Sequence, residues 1–146
     1  MTARAFACCH SLEFVEASSK VDGDPVEVEL FKFGCYKLES DYKHTSKCLG
    51  RVTRTEVGRR PLNLVILRRF EFNSDDKRMS TICEDLSEKG KFYVFTKGSP
   101  EGLAKLGKMP PSFDNVLKRY AQQGLRVLTV AYREIQSSSA QTILRK

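Results

Sequence analysis

Phe92-Tyr93-Val94-Phe95-Thr96-Lys97-Gly98-Ser99-Pro100-Glu101 joins an apolar, aromatic run to a polar helix start. Aromatic and β-branched residues dominate 92–96, which predicts a strand. Ser99 ahead of Pro100 and Glu101 is the pattern of a helix N-terminus, with Ser as the cap and Pro in the first turn. Working upstream, Ser87-Glu88-Lys89-Gly90 predicts a turn and 78–85 a second strand. Leu64-Val65-Ile66-Leu67 is a short apolar run with β-branched residues, and so a third strand. Three strands joined by short connections predict an antiparallel meander.

Outside that block the signals are more local. Residues 3–12 suit a helix with Phe6, Cys9 and Leu12 on one face. The polar stretch 18–24 reads as a loop. Asp24-Pro25-Val26-Glu27 combines an N-cap, Pro at the first helical position and an acidic third residue, so a helix starts there. Val28, Leu30 and Phe31 continue it, and Gly34 is a natural stop. Residues 39–60 hold many Lys, Arg, Ser and Thr with few large apolar side chains. They predict a mobile basic surface loop around 40–60, with Arg51, Arg54, Arg59 and Arg60 as a basic patch. A second helix starts near Ser112, with Phe113, Val116, Leu117 and Tyr120 at amphipathic spacing. Gly124 ends it. Residues 125–132 form a near-continuous apolar run, expected as a buried central strand. The expected fold is α+β, an antiparallel sheet flanked by helices. Its domain spans 1–136, and a polar tail, 137–146, frays.

Composition bounds the function. With 146 residues, the chain can bury one substantial core. No run of about 18 apolar residues is present, so nothing in the sequence predicts membrane insertion. The short apolar stretch 3–9 lacks the basic flank and cleavage site of a signal peptide. Lys and Arg number 25 against 18 Asp and Glu, a surplus of +7 that suits an anionic partner without naming one. Five cysteines form no C-x-x-C pair and have only His10 and His44 beside them, which argues against zinc. Reduced thiols in a reducing compartment are expected.

An adenine site needs an aromatic face, an acceptor for the exocyclic amine, and cations or helix amides for phosphates. The block Phe70-Glu71-Phe72-Asn73-Ser74-Asp75-Asp76-Lys77-Arg78-Met79-Ser80 offers Phe72 after a strand, with Lys77 and Arg78 beyond it. Lys97 ends a strand, and Gly98 would let a ligand approach the backbone closely. Singly, these residues are more often core phenylalanine and solvated lysine. A second reading is an RNA-binding sheet: Lys89-Gly90-Lys91-Phe92-Tyr93-Val94-Phe95 resembles the strand whose aromatics stack on bases. Lys91 stands at an aromatic position of that pattern, no companion strand is evident, and the elements do not run βαββαβ, so no nucleic-acid partner is expected. No nucleophile–His–acid set and no phosphate-binding Gly-x-x-x-x-Gly-Lys loop occurs.

Five blocks in order resemble the nucleotide-binding domain of P-type ATPases. They are Cys9-His10-Ser11-Leu12, Gly23-Asp24-Pro25-Val26-Glu27, residues 72–80, Lys97-Gly98-Ser99-Pro100-Glu101 and Gly124-Leu125-Arg126-Val127-Leu128. The resemblance implies that Glu27 accepts from the adenine amine and that Phe72 stacks on the ring. It implies that Met79 and Leu128 line the pocket, that Lys77, Lys97 and Gly98 border it, and that Arg126 faces the phosphates. Ser74 stands where calcium-pump members carry an Arg, and Ser99 replaces an Ala. Residues 29–38, 68–72, 77–80 and 111–117 look like the type-V pumps, more like the endolysosomal polyamine-transporting branch than the endoplasmic reticulum branch. The implied ligands are ATP and ADP, with Mg in the full-length pump. The implied partners are that pump's phosphorylation and actuator domains, and a monomeric cytosolic unit is expected. The family's Asp-Lys-Thr-Gly and Thr-Gly-Glu motifs do not occur in the sequence, so no catalytic residue and no ATP hydrolysis by this unit are expected.

Overall fold

A computed structural model describes residues 1–18 and 20–145. Its centre is a six-stranded antiparallel sheet in which each strand pairs with its neighbour in sequence. The strands are β3 (Lys37–Glu39), β4 (Gly50–Arg54), β5 (Leu62–Asn73), β6 (Arg78–Asp85), β7 (Lys91–Gly98) and β8 (Thr129–Ile135). A separate two-stranded ribbon, β1 (Glu13–Val15) and β2 (Lys20–Asp22), precedes them. The helices are α1 (Thr2–Cys8), α2 (Pro25–Phe33), α3 (Pro100–Ala104), α4 (Phe113–Gln122) and α5 (Ser137–Leu144). The fold is α+β, as expected.

Strand β5 shows why an apolar run reads as one strand. Leu62, Leu64 and Ile66 face one side of the sheet, where Ala5 and Cys8 of α1 and Phe31 of α2 complete the larger core. Val65 and Leu67 face the other side, against Phe92 and Ala140. Both faces of this half of the strand are covered, so period-two alternation gives way to continuous hydrophobicity.

Several elements differ from expectation. Helix α1 ends at Cys8 rather than near residue 12, because the chain turns at His10, where the Leu12 amide donates to His10 Nδ1 (3.1 Å). The predicted loop 18–24 contains β2, paired Val21 to Phe14. Gly34 follows α2 with ordinary helical angles; Cys35 takes the left-handed conformation instead (φ 54°). What Gly34 provides is space, since a Cβ there would sit 2.0 Å from the Tyr36 ring.

The loop reading of 40–60 fails at β4. Val52 is fully buried, and Thr53 and Arg54 are buried beside it, between β3 and β5. Three of the four arginines expected in a surface patch make hydrogen bonds within the fold, Arg59 to the Phe33 carbonyl (3.1 Å) among them. Arg51 donates to Asn63 Oδ1 (2.8 Å), and Arg54 donates twice to the Arg60 carbonyl. The tail expected to fray is α5, which seats Ala140 against Val65, Leu67 and Phe92 and takes a hydrogen bond from Arg68 to the Ile143 carbonyl. Strand β8 is an edge strand rather than a buried central one, and Leu125 and Leu128 before it are exposed. Helix α4 buries none of its residues despite its amphipathic spacing.

Limited trypsin digestion should cut after Arg59, in the exposed stretch 55–61, before Arg51 or Arg54; Arg60 precedes Pro61 and is not a trypsin site. First cleavage at Arg51, read by mass spectrometry, would show that β4 leaves the sheet easily.

Candidate functional site

One cleft of about 500 Å³ opens where β5, β6 and β7 meet at one end of the sheet, a volume within the range of small-molecule sites. Its wall carries Glu27, Phe72, Lys77, Met79, Lys97, Gly98, Arg126 and Leu128, every site residue expected from the sequence. The register explains the convergence. Met79 lies opposite Lys97, and Lys97 opposite Val130, so β6, β7 and the approach to β8 end together.

A bulge aims Phe72. Phe70 pairs with Ser80 and Asn73 with Arg78, so Glu71 and Phe72 together oppose the single residue Met79. An extra residue of this kind bends the strand and redirects a side chain. The Phe72 ring is 62% exposed and lines the cleft, so it is not a core residue.

Glu27 enters from the first turn of α2. Asp24 caps that helix, accepting from the Val26 amide (2.9 Å) and the Glu27 amide (3.2 Å). The Glu27 carboxylate is then engaged at both oxygens. Oε1 forms an ion pair with the Lys97 ammonium, and Oε2 accepts from the Ser11 amide (2.8 Å). Both side chains of the pair are about nine-tenths buried. Lys97 is therefore turned inward and neutralised, whereas Lys77 and Arg126 stay exposed at the rim. A carboxylate has about four acceptor sites, so Glu27 keeps capacity for a further donor from the cleft.

Gly98 has a different reason from the one expected. A Cβ there would meet the Lys77 carbonyl at 2.3 Å and Arg78 Cα at 2.8 Å, so its bare backbone admits the β5–β6 turn, not a ligand. Gly102 does the same for the Asp76 carbonyl (2.6 Å). The turn is held from the other side as well: Asn73 Oδ1 accepts from the amides of Asp75 and Asp76, and Ser99 N donates to the Lys77 carbonyl (2.9 Å). Lys77 itself is left-handed (φ 52°). Ser99 also caps α3, its hydroxyl accepting from the Gly102 amide (3.0 Å).

Sequence reasoning did not assign Ser11, Asp24, Val26, Ser99 and Val127 to the wall. Each lies inside a block already singled out, so position within the block was the available signal. The alternative RNA-binding face is not presented: Phe92, Tyr93 and Phe95 are all buried in the sheet. Among the described residues no cluster of His, Cys, Asp and Glu could hold a metal ion, and no helix is long and apolar enough to cross a membrane.

Burial pushes His10, one residue before Ser11, down to about pH 4, with Glu27 opposing the shift. A histidine held neutral in this way stabilises the fold above its unfolded pKa near 6.5, and that stability is lost as pH falls from there toward 4. Urea unfolding at pH 7 and pH 4 should show roughly 3 kcal/mol more acid loss in the wild type than in His10→Asn. Equal acid losses would show that His10 is charged or solvent-accessible in the fold. Gly98→Ala should lower the melting temperature and displace the 73–78 turn, seen as amide shifts there; an unperturbed turn would contradict the close approach.

Comparison with known proteins identifies relatives of this chain. Residues 1–109 match the family described as P-type ATPase, cytoplasmic domain N. The chain is 31% identical over 153 residues to the probable cation-transporting ATPase 13A4 of Gallus gallus, covering 98% of this chain and 12% of that protein. It is 34% identical over 135 residues to the probable manganese-transporting ATPase PDR2 of Arabidopsis thaliana, covering 92% and 10%. It is 30% identical over 156 residues to the polyamine-transporting ATPase 13A3 of Mus musculus, covering 90% and 13%. The chain thus spans about an eighth of the length of such relatives or less.

Proposed function

This chain belongs to the P-type ATPase cytoplasmic N-domain family, and from that premise we propose that it is the ATP-binding unit of a type-V pump. The observation that carries the reading is a cleft lined at once by an acceptor, Glu27, an exposed ring, Phe72, and rim cations Lys77 and Arg126. These groups match the base, its π-face and the phosphates in turn. The ring stacks on Phe72 between Met79 and Leu128, and the exocyclic amine donates to Glu27. The phosphates lie toward Lys77 and Arg126. Lys97 serves the base end, because its charge is spent on Glu27.

In the whole pump this unit would present ATP, with Mg, to an aspartate on the phosphorylation domain, with the actuator domain completing the cycle. Its share of the work is positioning and charge neutralisation. The parent would be an integral membrane transporter of endosomal or lysosomal membranes. Similarity to the polyamine-transporting 13A3 protein favours a polyamine or other cation as cargo.

Binding by the isolated unit should be weak, about 0.1–1 mM. ATP and ADP should bind comparably, and GTP worse, because the guanine carbonyl would face the Glu27 carboxylate. Phe72→Ala should fold normally, since the ring is exposed, yet lose about 1–3 kcal/mol of ATP binding by analogy with base–aromatic stacking. NMR titration checks both. Equal responses to ATP and GTP, or a folded Phe72→Ala with unchanged ATP affinity, would refute base recognition in this cleft.

A further inference from the structure

The Cys9-His10-Ser11-Leu12 turn is not explained by the cleft alone. Only Ser11 of these residues touches it, yet His10 is 2% exposed and bears a polar ring. We propose that His10 is a positioning residue for adenine recognition: it folds the turn that aims the Ser11 amide at Glu27. The inference rests on the nucleotide reading above and deepens it.

The chain of contacts is short. His10 Nδ1 accepts from the Leu12 amide (3.1 Å), closing a two-residue turn. That turn presents the intervening Ser11 amide, which donates to Glu27 Oε2 (2.8 Å). The His10 ring meets the Phe31 ring edge-on at 5.2 Å and 86°. Phe31 lies one helical turn after Glu27 on α2, so the ring also fixes the turn against the helix that carries the acceptor. Leu12 anchors the far side, buried beneath Gly23, where a Cβ would meet Leu12 Cδ2 at 2.9 Å. With Lys97 on Oε1 and Ser11 on Oε2, the carboxylate is held from both sides. Rotation of Glu27 would break one contact or the other, so its open lone pairs keep a fixed direction into the cleft.

The chemistry requires an acceptor on the His10 side chain. Its depressed pKa keeps Nδ1 an acceptor at neutral pH. The other nitrogen, Nε2, is buried and makes no well-formed hydrogen bond among the described residues, although the Ala7 backbone acts on the ring. An apolar ring of the same size would avoid that poorly satisfied donor. The group that distinguishes histidine here is the acceptor Nδ1. Asparagine can make the same bond: Asn73 Oδ1 accepts from the amide two residues on, that of Asp75, at 2.8 Å.

The test compares ATP with ITP, in which a carbonyl replaces the adenine amine, on wild type, His10→Asn and His10→Phe. Wild type should prefer ATP by about tenfold or more, the scale of one hydrogen bond to a charged group. His10→Asn should retain the preference, and a folded His10→Phe should bind both within about twofold. A folded His10→Phe that discriminates like wild type overturns the proposal, as does His10→Asn that discriminates no better than His10→Phe. If His10→Phe does not fold, the Ser11 amide resonance of wild type decides. It should move with adenosine and far less with inosine, and indifference to adenosine overturns the proposal. A wild type that binds neither ATP nor adenosine removes the nucleotide reading itself, and this proposal with it. Wild type that binds both purines equally removes base recognition by Glu27 and the role assigned to His10.

Discussion

The buried Lys97–Glu27 ion pair is the constraint on which the cleft depends. Lys97 is the penultimate residue of β7, and Glu27 lies in the first turn of α2, on another element and 70 residues away in sequence. Two charges removed from water tolerate little displacement, because separating them leaves each desolvated and unpaired. Losing one partner of such a pair costs about 3–5 kcal/mol. The pair therefore fixes where α2 begins relative to the end of the sheet. It also removes one cation from the ligand's side of the cleft, so the rim charges of Lys77 and Arg126 dominate where phosphates would lie.

That constraint separates what was legible in the sequence from what was not. Asp24, Pro25 and Glu27 state a helix start through local chemistry, and the start forms where those residues put it. The meander of β5, β6 and β7 was legible because its turns are short and its apolar runs strong. Gly50–Arg54 carried no such signal. Its strand character comes from being sandwiched between β3 and β5, which buries Val52 and uses the arginines as hydrogen-bond donors. Residues 125–132 misled in the opposite sense: an apolar run reports hydrophobicity, not depth, and β8 lies at the sheet edge. The same limit applies to α4, whose regular apolar spacing is only partly covered: Phe113 and Leu117 are half-buried, and Val116 and Tyr120 are exposed.

In the cleft, residue identity was readable and residue role was not. Phe72 owes its direction to a bulge, and nothing in residues 70–73 announces where the ladder slips. Gly98 was expected to make room for a ligand, but the atom it makes room for is the Lys77 carbonyl. Lys97, preceding Gly-Ser-Pro, reads singly as a solvated turn lysine and by resemblance as one bordering the pocket. Only the fold shows that α2 brings a carboxylate to it. All three roles depend on contacts between residues distant in sequence, which local pattern does not encode.

The two ends of the cleft are built differently, and the difference bears on the proposed role. The end proposed for the base is tightly held, with both Glu27 oxygens engaged, by Lys97 and by Ser11. The phosphate end offers exposed Lys77 and Arg126, without a buried clamp. A site that gripped the γ-phosphate as firmly as the base would stabilise bound ATP and oppose its passage to another domain. Interactions that are equal before and during transfer add binding without adding rate. A nucleotide held by its base, with its phosphates left accessible, is free to meet a second set of ligands. The uneven construction of this cleft suits a domain that presents ATP rather than one that consumes it.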